Sequence, residues 1–339
     1  MDFQECVAER LVCPVHRCGL EFDESANLRG GVPFGDGRVR CPWGCAFRIE
    51  KGVPRFVQSG NYCSNFGLQW RKYQKTQLDS YTGMDISRRR LEESLNMPLD
   101  ELKHRSVLEA GCGAGRFTEH LIGNSGFLVS MDISDAVDAN LRNCAGPRPY
   151  LLVQADINDS PLRPGSFDLV VCLGVIQHTP SPERTIAALA RHVKPGGTLV
   201  IDHYSNNSLF APLGRLLSLG YPLRAVLKRL PPGLSLKITA GLTAVANPLR
   251  KRTHRIKWLD RVAARLLPTA CYYESYPDLD PGILYEWHEL DTFDQLTDYY
   301  KHFRSVDDIR QCLDRLGFID IYCDKSAQGV TARATRQWV

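Results

Sequence analysis

The glycine-rich segment Glu109-Ala110-Gly111-Cys112-Gly113-Ala114-Gly115 has the clearest chemical potential in the sequence. Alternate glycines allow the backbone to pass close to a ligand, because no Cβ intrudes. The segment precedes a predicted helix, whose first N–H groups can point at the same ligand. Arg116 stands where a dinucleotide-binding loop needs its third glycine, which argues against NAD or FAD. The acid Glu109 instead suits a ligand with a cationic amino-acid end.

Four further apolar runs follow this loop and predict the strands of a parallel sheet. The runs occupy residues 127–132, 150–157, 167–175 and 193–202. The first of them ends at Asp132, 21 residues after Gly111, where a carboxylate can bind both hydroxyls of a ribose. One such motif would be a weak signal, whereas five in this order and spacing are a specific one.

Together, these motifs resemble those of the class I S-adenosylmethionine-dependent methyltransferases. The resemblance implies an α/β fold with a Rossmann-like, seven-stranded sheet, a small N-terminal zinc ribbon and a helical insertion after the fifth strand. It also implies S-adenosylmethionine as the cofactor, with Asp156 contacting the adenine amino group. The predicted cofactor-binding residues are Glu109, Gly111, Cys112, Gly113, Gly115, Asp132, Ile133, Asp156, Ile157 and Leu173.

The composition narrows the classes of function. A chain of 339 residues, 43% of them hydrophobic, can bury a large core and hold more than one domain. No secretory signal or run long enough to span a membrane is recognisable, so we expect a cytoplasmic protein. A net charge of +4 is too small to indicate a nucleic-acid-binding protein by itself. Twelve cysteines in a reducing compartment are better explained as metal ligands than as disulfides.

Two cysteine knuckles near the N-terminus predict a zinc site. The segments 13–18 and 41–45 flank a glycine-rich hairpin at 30–37, and each can turn soft ligands toward one point. The module resembles the zinc ribbons of the activator subunit of tRNA methyltransferases, in which a cysteine occupies the position of His16. The alternative is a ribbon that has lost its metal. The predicted ligands are Cys13, Cys41 and Cys45, with either His16 or Cys18 as the fourth.

The first half of the insertion after the fifth strand is strongly basic. Eleven lysine or arginine residues between 224 and 265 stand against one acid, Asp260. Apolar residues alternate with them at the spacing of amphipathic helices. Three interpretations stay open: a solvated helical lid, a surface for an anionic partner, or a helix on a membrane surface. We favour the lid, since Pro231, Pro248 and Pro268 are predicted to divide the segment into short helices.

Catalytic candidates come from two strand ends and from the second half of the insertion. His178 matches a turn of the ubiquinone-type small-molecule methyltransferases and is the predicted general base, with a structural histidine as the alternative. Asp202, His203 and Tyr204, at the end of the fifth strand, are second candidates. His288 and Asp291 share one face of a predicted helix that resembles an element of a bacterial methyltransferase subgroup. A merely solvated polar stripe is the alternative for that face.

We therefore predict an S-adenosylmethionine-dependent methyltransferase that acts on a small molecule by in-line transfer in specialised biosynthesis. One alternative is an rRNA or tRNA base methyltransferase that binds RNA through the ribbon and the basic insertion. Another is a non-catalytic partner protein, which the intact motifs disfavour. These patterns specify neither the acceptor atom nor an oligomeric state. The predicted domains are a zinc ribbon at 1–58, linker and entry helices at 59–104, the cofactor-binding core at 105–202, a helical lid or substrate insertion at 203–303, and the end of the core at 304–339.

Overall fold

The chain separates into two compact units. The computed structural model describes residues 3–23, 35–57, 64–146, 148, 150–205, 218–327 and 329–338. The first unit comprises the described residues that fall within 1–61, 86–206 and 300–339, and the second comprises those within 62–85 and 207–299. Two predicted features fall partly outside the described residues: the glycine-rich hairpin up to position 34, and the part of the insertion at 206–217.

A single sheet of eleven strands forms the centre of the first unit, whereas seven strands were predicted. Its strands are β1 (Glu21–Phe22), β2 (Gly37–Arg40), β3 (Ala46–Glu50), β4 (Val53–Arg55), β5 (Ser106–Ala110), β6 (Phe127–Asp132), β7 (Leu151–Gln154), β8 (Phe167–Cys172), β9 (Val193–His203), β10 (Phe318–Ser326) and β11 (Gly329–Arg336). They are arranged in the order β1-β2-β3-β4-β7-β6-β5-β8-β9-β11-β10. Strands β5 to β11 supply the expected seven, and the N-terminal module adds the other four at the edge of β7.

Helices cover both faces of this sheet, which explains why its central strands are apolar on both sides. The first unit contains α1 (Phe3–Arg10), α4 (Ile86–Leu95), α5 (Thr118–Asn124), α6 (Val137–Cys144), α7 (Pro182–Ala190) and α12 (Val306–Arg315). One apolar cluster joins α4, α5 and α6 to one face, and a second joins α1, α7 and α12 to the other. Side chains of β5 alternate between the two clusters, with Val107 in the first and Leu108 in the second.

The N-terminal module shares the core of the first unit. Strand β4 runs parallel to β7, where Arg55 pairs with Gln154, and the N–H of Phe56 donates to the carbonyl of Gln154 at 2.8 Å. The buried side chains of Leu11, Val39 and Ile49 belong to the same apolar cluster as the central strands. The module is therefore a continuation of the sheet, and its stability is coupled to that of the central strands.

The second unit is helical. It contains α2 (Ser64–Lys72), α3 (Asp79–Thr82), α8 (Gly220–Leu227), α9 (Pro232–Thr253), α10 (Lys257–Leu266) and α11 (Pro281–Thr297). The prediction that Pro248 ends a helix is wrong, because α9 continues through it for 22 residues in all. Among the described residues, none of the helices combines the length and apolar character that a membrane span requires.

Candidate functional site

Five parallel strands of the first unit, in the order β7-β6-β5-β8-β9, end at the same edge of the sheet. The carboxyl edge of such a sheet is where α/β proteins bind their ligands. Four of the strands lead into the predicted cofactor-binding residues, namely the glycine loop after β5, Asp132 and Ile133 after β6, Asp156 and Ile157 after β7, and Leu173 after β8. The structure therefore brings these residues to one edge.

The glycine loop is shaped by contacts within the protein as much as by room for a ligand. Gly111 has φ +80°, and a Cβ added there would lie 2.2 Å from Cγ2 of Val175. Gly115 has φ +105°, and its added Cβ would lie 2.6 Å from Sγ of Cys144. Both glycines are required by a left-handed backbone and by close packing. The sequence argument, which cited only the approach of a ligand, missed these contacts.

Glu109 is a buried carboxyl group at the end of β5. Its Oε2 accepts hydrogen bonds from Thr118 at 2.6 Å and from Ser130 at 2.8 Å. Burial raises the pKa of Glu109 to about 7, although these two bonds favour its charged form. Its Oε1 has no partner among the described residues. The group therefore retains an acceptor that a ligand cation could satisfy.

Asp132 ties the end of β6 to the glycine loop. Its Oδ2 accepts the N–H of Gly113 at 2.9 Å, and its Oδ1 accepts the N–H and the hydroxyl of Ser134 at 2.8 and 2.7 Å. Burial raises the pKa of this carboxyl group. Since a carboxylate has about four acceptor positions, these bonds leave room for one ribose hydroxyl. Binding of the second hydroxyl requires the hydroxyl of Ser134 to turn away.

Asp156 has its carboxylate engaged by the neighbouring turn. Its Oδ1 accepts the backbone N–H and the side-chain amide of Asn158 at 2.8 and 3.1 Å. The apolar candidates beside it are largely buried: Ile157 is 8% exposed, Leu173 6% and Cys112 4%. These side chains can form the walls of an adenine pocket, with the Asp156 carboxylate at its edge.

Arg90 is a site residue that the sequence argument missed. Its guanidinium contacts Oδ2 of the buried Asp202 at 2.6 Å and lies over the ring of Phe117 at 5.5 Å. Asp202 in turn accepts the N–H of Gly174 at 2.6 Å. The Nε of Arg90 is buried without a partner among the described residues. A run of three arginines at 88–90 was the available signal, but their spacing did not show which one faces the sheet edge.

His178 lies in a short 3-10 helix, Ile176–His178, directly after β8. The residue is 8% exposed, and its Nδ1 lies 3.3 Å from the carbonyl oxygen of Tyr300. Its ring meets the ring of Tyr204 edge to face, with centroids 5.4 Å apart. The preceding residue, Gln177, has a buried Oε1 without a partner among the described residues. His178 and Tyr204 therefore contact each other beyond the ends of β8 and β9, and Gln177 is adjacent to His178 in sequence.

His203 differs from these residues in its surroundings. It follows Asp202 along β9, so the two side chains lie on opposite faces of the sheet. Its Nδ1 lies 2.9 Å from the carbonyl oxygen of Tyr204, and its buried Nε2 has no partner among the described residues. Burial lowers the pKa of His203, and the nearby charge of Arg304 adds to this effect. The lowered pKa favours the neutral imidazole, which lies on the face of β9 opposite to the Arg90–Asp202 pair.

The candidates in the second unit are held by neighbours within that unit. The Nε2 of His288 accepts the N–H of Tyr272 at 2.9 Å, and its Nδ1 lies 3.1 Å from Oδ1 of Asn247. Burial, with a smaller effect of Arg250, lowers the pKa of His288 to about 4. Asp291 accepts the hydroxyl of Tyr272 at 2.5 Å. A role of His288 as a base would require one of its two bonds to break.

The N-terminal module brings four predicted metal ligands together. Single donor atoms of Cys13, His16, Cys41 and Cys45 all lie within 4.8 Å of one another, and Cys18 is outside this group. The Nδ1 of His16 lies 3.8, 3.3 and 3.5 Å from the sulfurs of Cys13, Cys41 and Cys45. In a tetrahedral zinc site the nitrogen and sulfur ligands are separated by about 3.6 Å. The nitrogen–sulfur separations are therefore close to those of such a site, and the cluster contains His16 rather than Cys18.

Comparison with known proteins identifies a family match for the central strands. Residues 108–201 match the family described as "Methyltransferase domain". A ubiquinone biosynthesis O-methyltransferase of Thiobacillus denitrificans is 32% identical over 111 residues, 32% of this chain and 47% of that protein. A protein of the same name from Methylococcus capsulatus is 32% identical over 130 residues, 37% of this chain and 54% of that protein. The chain thus spans about half the length of these relatives.

Among solved structures, a SAM-dependent methyltransferase of Methanosarcina mazei is similar with a TM-score of 0.40 at 14% identity, covering 70% of this chain and 94% of that one. Such a weak likeness adds no weight to the family match. The assignment rests on that match and on the five strand ends with their glycine loop. Residues 108–201 therefore match the methyltransferase-domain family, and the strands from β6 to β8 lie within this matched segment.

Proposed function

We propose that the protein transfers a methyl group from S-adenosylmethionine to a hydroxyl group of a small molecule, in specialised biosynthesis. The observation that carries this proposal is the convergence of the glycine loop, Asp132, Asp156 and His178 at one sheet edge. The O-methyltransferase names of the two relatives support a hydroxyl acceptor. The absence of an Asn- or Asp-Pro-Pro-aromatic motif after β8 disfavours one class of nucleic-acid amino-methyltransferases.

The residues at this edge fit the parts of S-adenosylmethionine. Asp132 and Asp156 are carboxylates suited to the ribose hydroxyls and the adenine amino group. The unpartnered Oε1 of Glu109 suits an ammonium group, and the unpartnered Nε of Arg90 suits a carboxylate. Each of the polar groups of the cofactor thus has a complementary group on the chain.

S-adenosylmethionine supplies a methyl group on a positively charged sulfur, which an acceptor oxygen can attack in line. The chain must orient the acceptor, keep water away and remove the hydroxyl proton. His178 can remove the hydroxyl proton, because a hydrogen bond from its Nδ1–H to the Tyr300 carbonyl leaves Nε2 as the basic nitrogen. The unpartnered Oε1 of Gln177 can accept a hydrogen bond from the acceptor and position it.

We also propose that Cys13, His16, Cys41 and Cys45 hold a structural zinc ion. Three thiolates and one imidazole are the donor set of closed structural sites, which leave no position for a substrate. The ion would fix the turn at 41–45 that joins the end of β2 to the start of β3, and so the strands that extend the central sheet.

The direct test is a transfer assay with S-adenosylmethionine labelled in its methyl group. We expect label to enter phenolic or other hydroxyl-bearing small molecules and not total RNA. Transfer into RNA with no small-molecule product would instead favour the tRNA or rRNA base methyltransferase.

Asp132→Ala is expected to raise the Kd for S-adenosylmethionine about 10- to 150-fold, because charge-assisted hydrogen bonds of about 1.5–3 kcal/mol are lost. Isothermal calorimetry measures this change directly. Asp135→Ala is the matched control, since its exposed carboxylate lies three residues further along and accepts a bond from Gln154. Equal affinities of Asp132→Ala and the unaltered protein would show that β6 does not contact the cofactor.

Arg90→Leu is expected to weaken binding of S-adenosylmethionine about tenfold or more, because the proposed contact between the guanidinium and the cofactor's carboxylate is lost. Binding of methylthioadenosine, which lacks the amino-acid end, should not change. Asp132→Ala should weaken the binding of both ligands. Calorimetry of the two variants with both ligands therefore separates the contribution of the ribose end of the site from that of the amino-acid end. If Arg90→Leu weakened both equally, the arginine would act through folding rather than through contact with the cofactor. Arg88→Leu, an exposed change on the same helix, is the control.

A further inference from the structure

Helix α10 exposes an apolar stripe beside a basic one. Trp258, Val262 and Leu266 follow at intervals of four residues and are 67%, 42% and 57% exposed. Lys257, Arg261 and Arg265 repeat at the same interval and are exposed as well. The opposite side packs inward through Ala263, which is 5% exposed. Residues four apart share a helix face, so α10 presents a large aromatic and aliphatic surface with a row of cations along its border.

The exposed apolar surface continues beyond α10 within the second unit. The N–H of Leu219 donates to the carbonyl of Arg265 at 2.9 Å, which places this leucine, itself 53% exposed, at the end of the stripe. Helix α9 is also apolar on its outer side. Its exposed large side chains are Leu234 (47%), Ile238 (37%), Val245 (72%) and Leu249 (44%). Large apolar side chains exposed together on one group of helices mark a binding surface.

The charges of this surface have one sign. Asp260 is the single acid between positions 218 and 273, and its Oδ1 is 2.9 Å from Nε of the buried Arg250. Arg224 is likewise paired, with Asp298 at 2.6 Å. The exposed cations of the segment are Arg229, Lys237, Lys251, Arg252, Arg255, Lys257, Arg261 and Arg265. Arg250, one of the eleven basic residues between 224 and 265, is therefore held by neighbours within the second unit.

We propose that this surface of the second unit, formed by α9, α10 and Leu219, docks on an anionic phospholipid bilayer. The cations would approach lipid phosphates while Trp258, Val262 and Leu266 enter the boundary between headgroups and acyl chains. RNA also attracts cations, but its surface offers no apolar layer for these aliphatic side chains. The protein would thus lie on a membrane surface and, if it has the proposed function, would meet methyl acceptors that dissolve in lipid.

The test is sedimentation of the full chain with vesicles of phosphatidylcholine alone or mixed equally with phosphatidylglycerol. We expect binding to the mixed vesicles that weakens with salt, and little binding to phosphatidylcholine. Replacing Trp258, Val262 and Leu266 together by serine should lower the partition coefficient about tenfold or more. Reversing Lys257, Arg261 and Arg265 to glutamate should lower it on the order of a hundredfold.

A matched control reverses three exposed cations of the first unit, Lys103, Arg191 and Lys325, and should leave lipid binding unchanged. The melting temperature of every variant shows whether the fold is retained, and the affinity for S-adenosylmethionine should be unaffected by all of them. Absence of vesicle binding would overturn the proposal, as would vesicle binding that both variants of α10 retain. Binding of RNA in place of vesicles, or self-association abolished by the serine variant, would assign the surface to a different partner.

Discussion

Replacing Cys41 by serine is expected to release zinc and to lower the melting temperature by roughly 5–10 °C. The sulfur of Cys41 lies 3.3 Å from Nδ1 of His16, and the residue is 5% exposed. Its replacement therefore removes a buried ligand of the proposed four-ligand site. Because β4 pairs with β7 and Ile49 packs in the shared core, loosening of the module also weakens the catalytic sheet. Calorimetric melting with elemental analysis of the purified protein measures both effects.

The fourth ligand is tested by comparing two neighbouring changes. We expect His16→Ala to behave like Cys41→Ser, whereas Cys18→Ser should keep about one zinc ion per chain and the original melting temperature. A chelator should lower the melting temperature of the unaltered protein to that of Cys41→Ser. Freshly purified protein without zinc would contradict the proposed site, and retention of zinc in His16→Ala with loss in Cys18→Ser would exchange the two ligands.

The strand ends could be predicted from sequence because their signals are local. An apolar run followed by glycines or an acid predicts a strand, and it also predicts that the residues after the run lie at the carboxyl edge of the sheet. The seven predicted strands are present for this reason. The four additional strands escaped prediction, since nothing in the segment 13–57 states that β4 will pair with β7 about a hundred positions away.

Sequence patterns could not predict which side chains contact each other when the residues are far apart in the chain. Arg90 and Asp202 are 112 residues apart, and only the fold shows that they meet. The choice of His16 over Cys18 depends on backbone geometry: Arg17 has φ +56° and donates its N–H to the carbonyl of Cys13 at 2.8 Å. A non-glycine residue in this left-handed region is uncommon, so the spacing of the knuckle did not reveal it. Pro248 illustrates the opposite case, in which tertiary packing overrides a local helix-breaking preference.

His178→Ala is expected to reduce kcat on the order of a hundredfold or more, with little change in the affinity for S-adenosylmethionine. The reason is the proposed removal of a hydroxyl proton by Nε2, whose orientation the contact between Nδ1 and the Tyr300 carbonyl sets. In the variant the acidic limb of the pH profile of kcat should disappear. Added imidazole should restore part of the rate, because it can enter the space that the side chain leaves.

Three other candidates make the result specific to His178. Asp291→Ala should keep the acidic limb of the pH profile of kcat, because its carboxylate accepts the hydroxyl of Tyr272 within the second unit. His203→Ala should mainly change stability, since its ring lies on the face of β9 opposite to Asp202. The same holds for His288→Ala, because both nitrogens of His288 already have partners.

A rate within about threefold of the unaltered enzyme for His178→Ala would remove the general base from the mechanism. The same finding with intact cofactor binding would indicate an acceptor that carries no proton to be removed, such as a thiolate or a tertiary amine, and would redirect the search for the substrate. Loss of rate without rescue by imidazole, together with a lower melting temperature, would instead make His178 the structural histidine that its buried contacts with Tyr300 and Tyr204 also allow. Rate, pH profile and rescue together therefore distinguish a base, a structural histidine and an acceptor that needs no base.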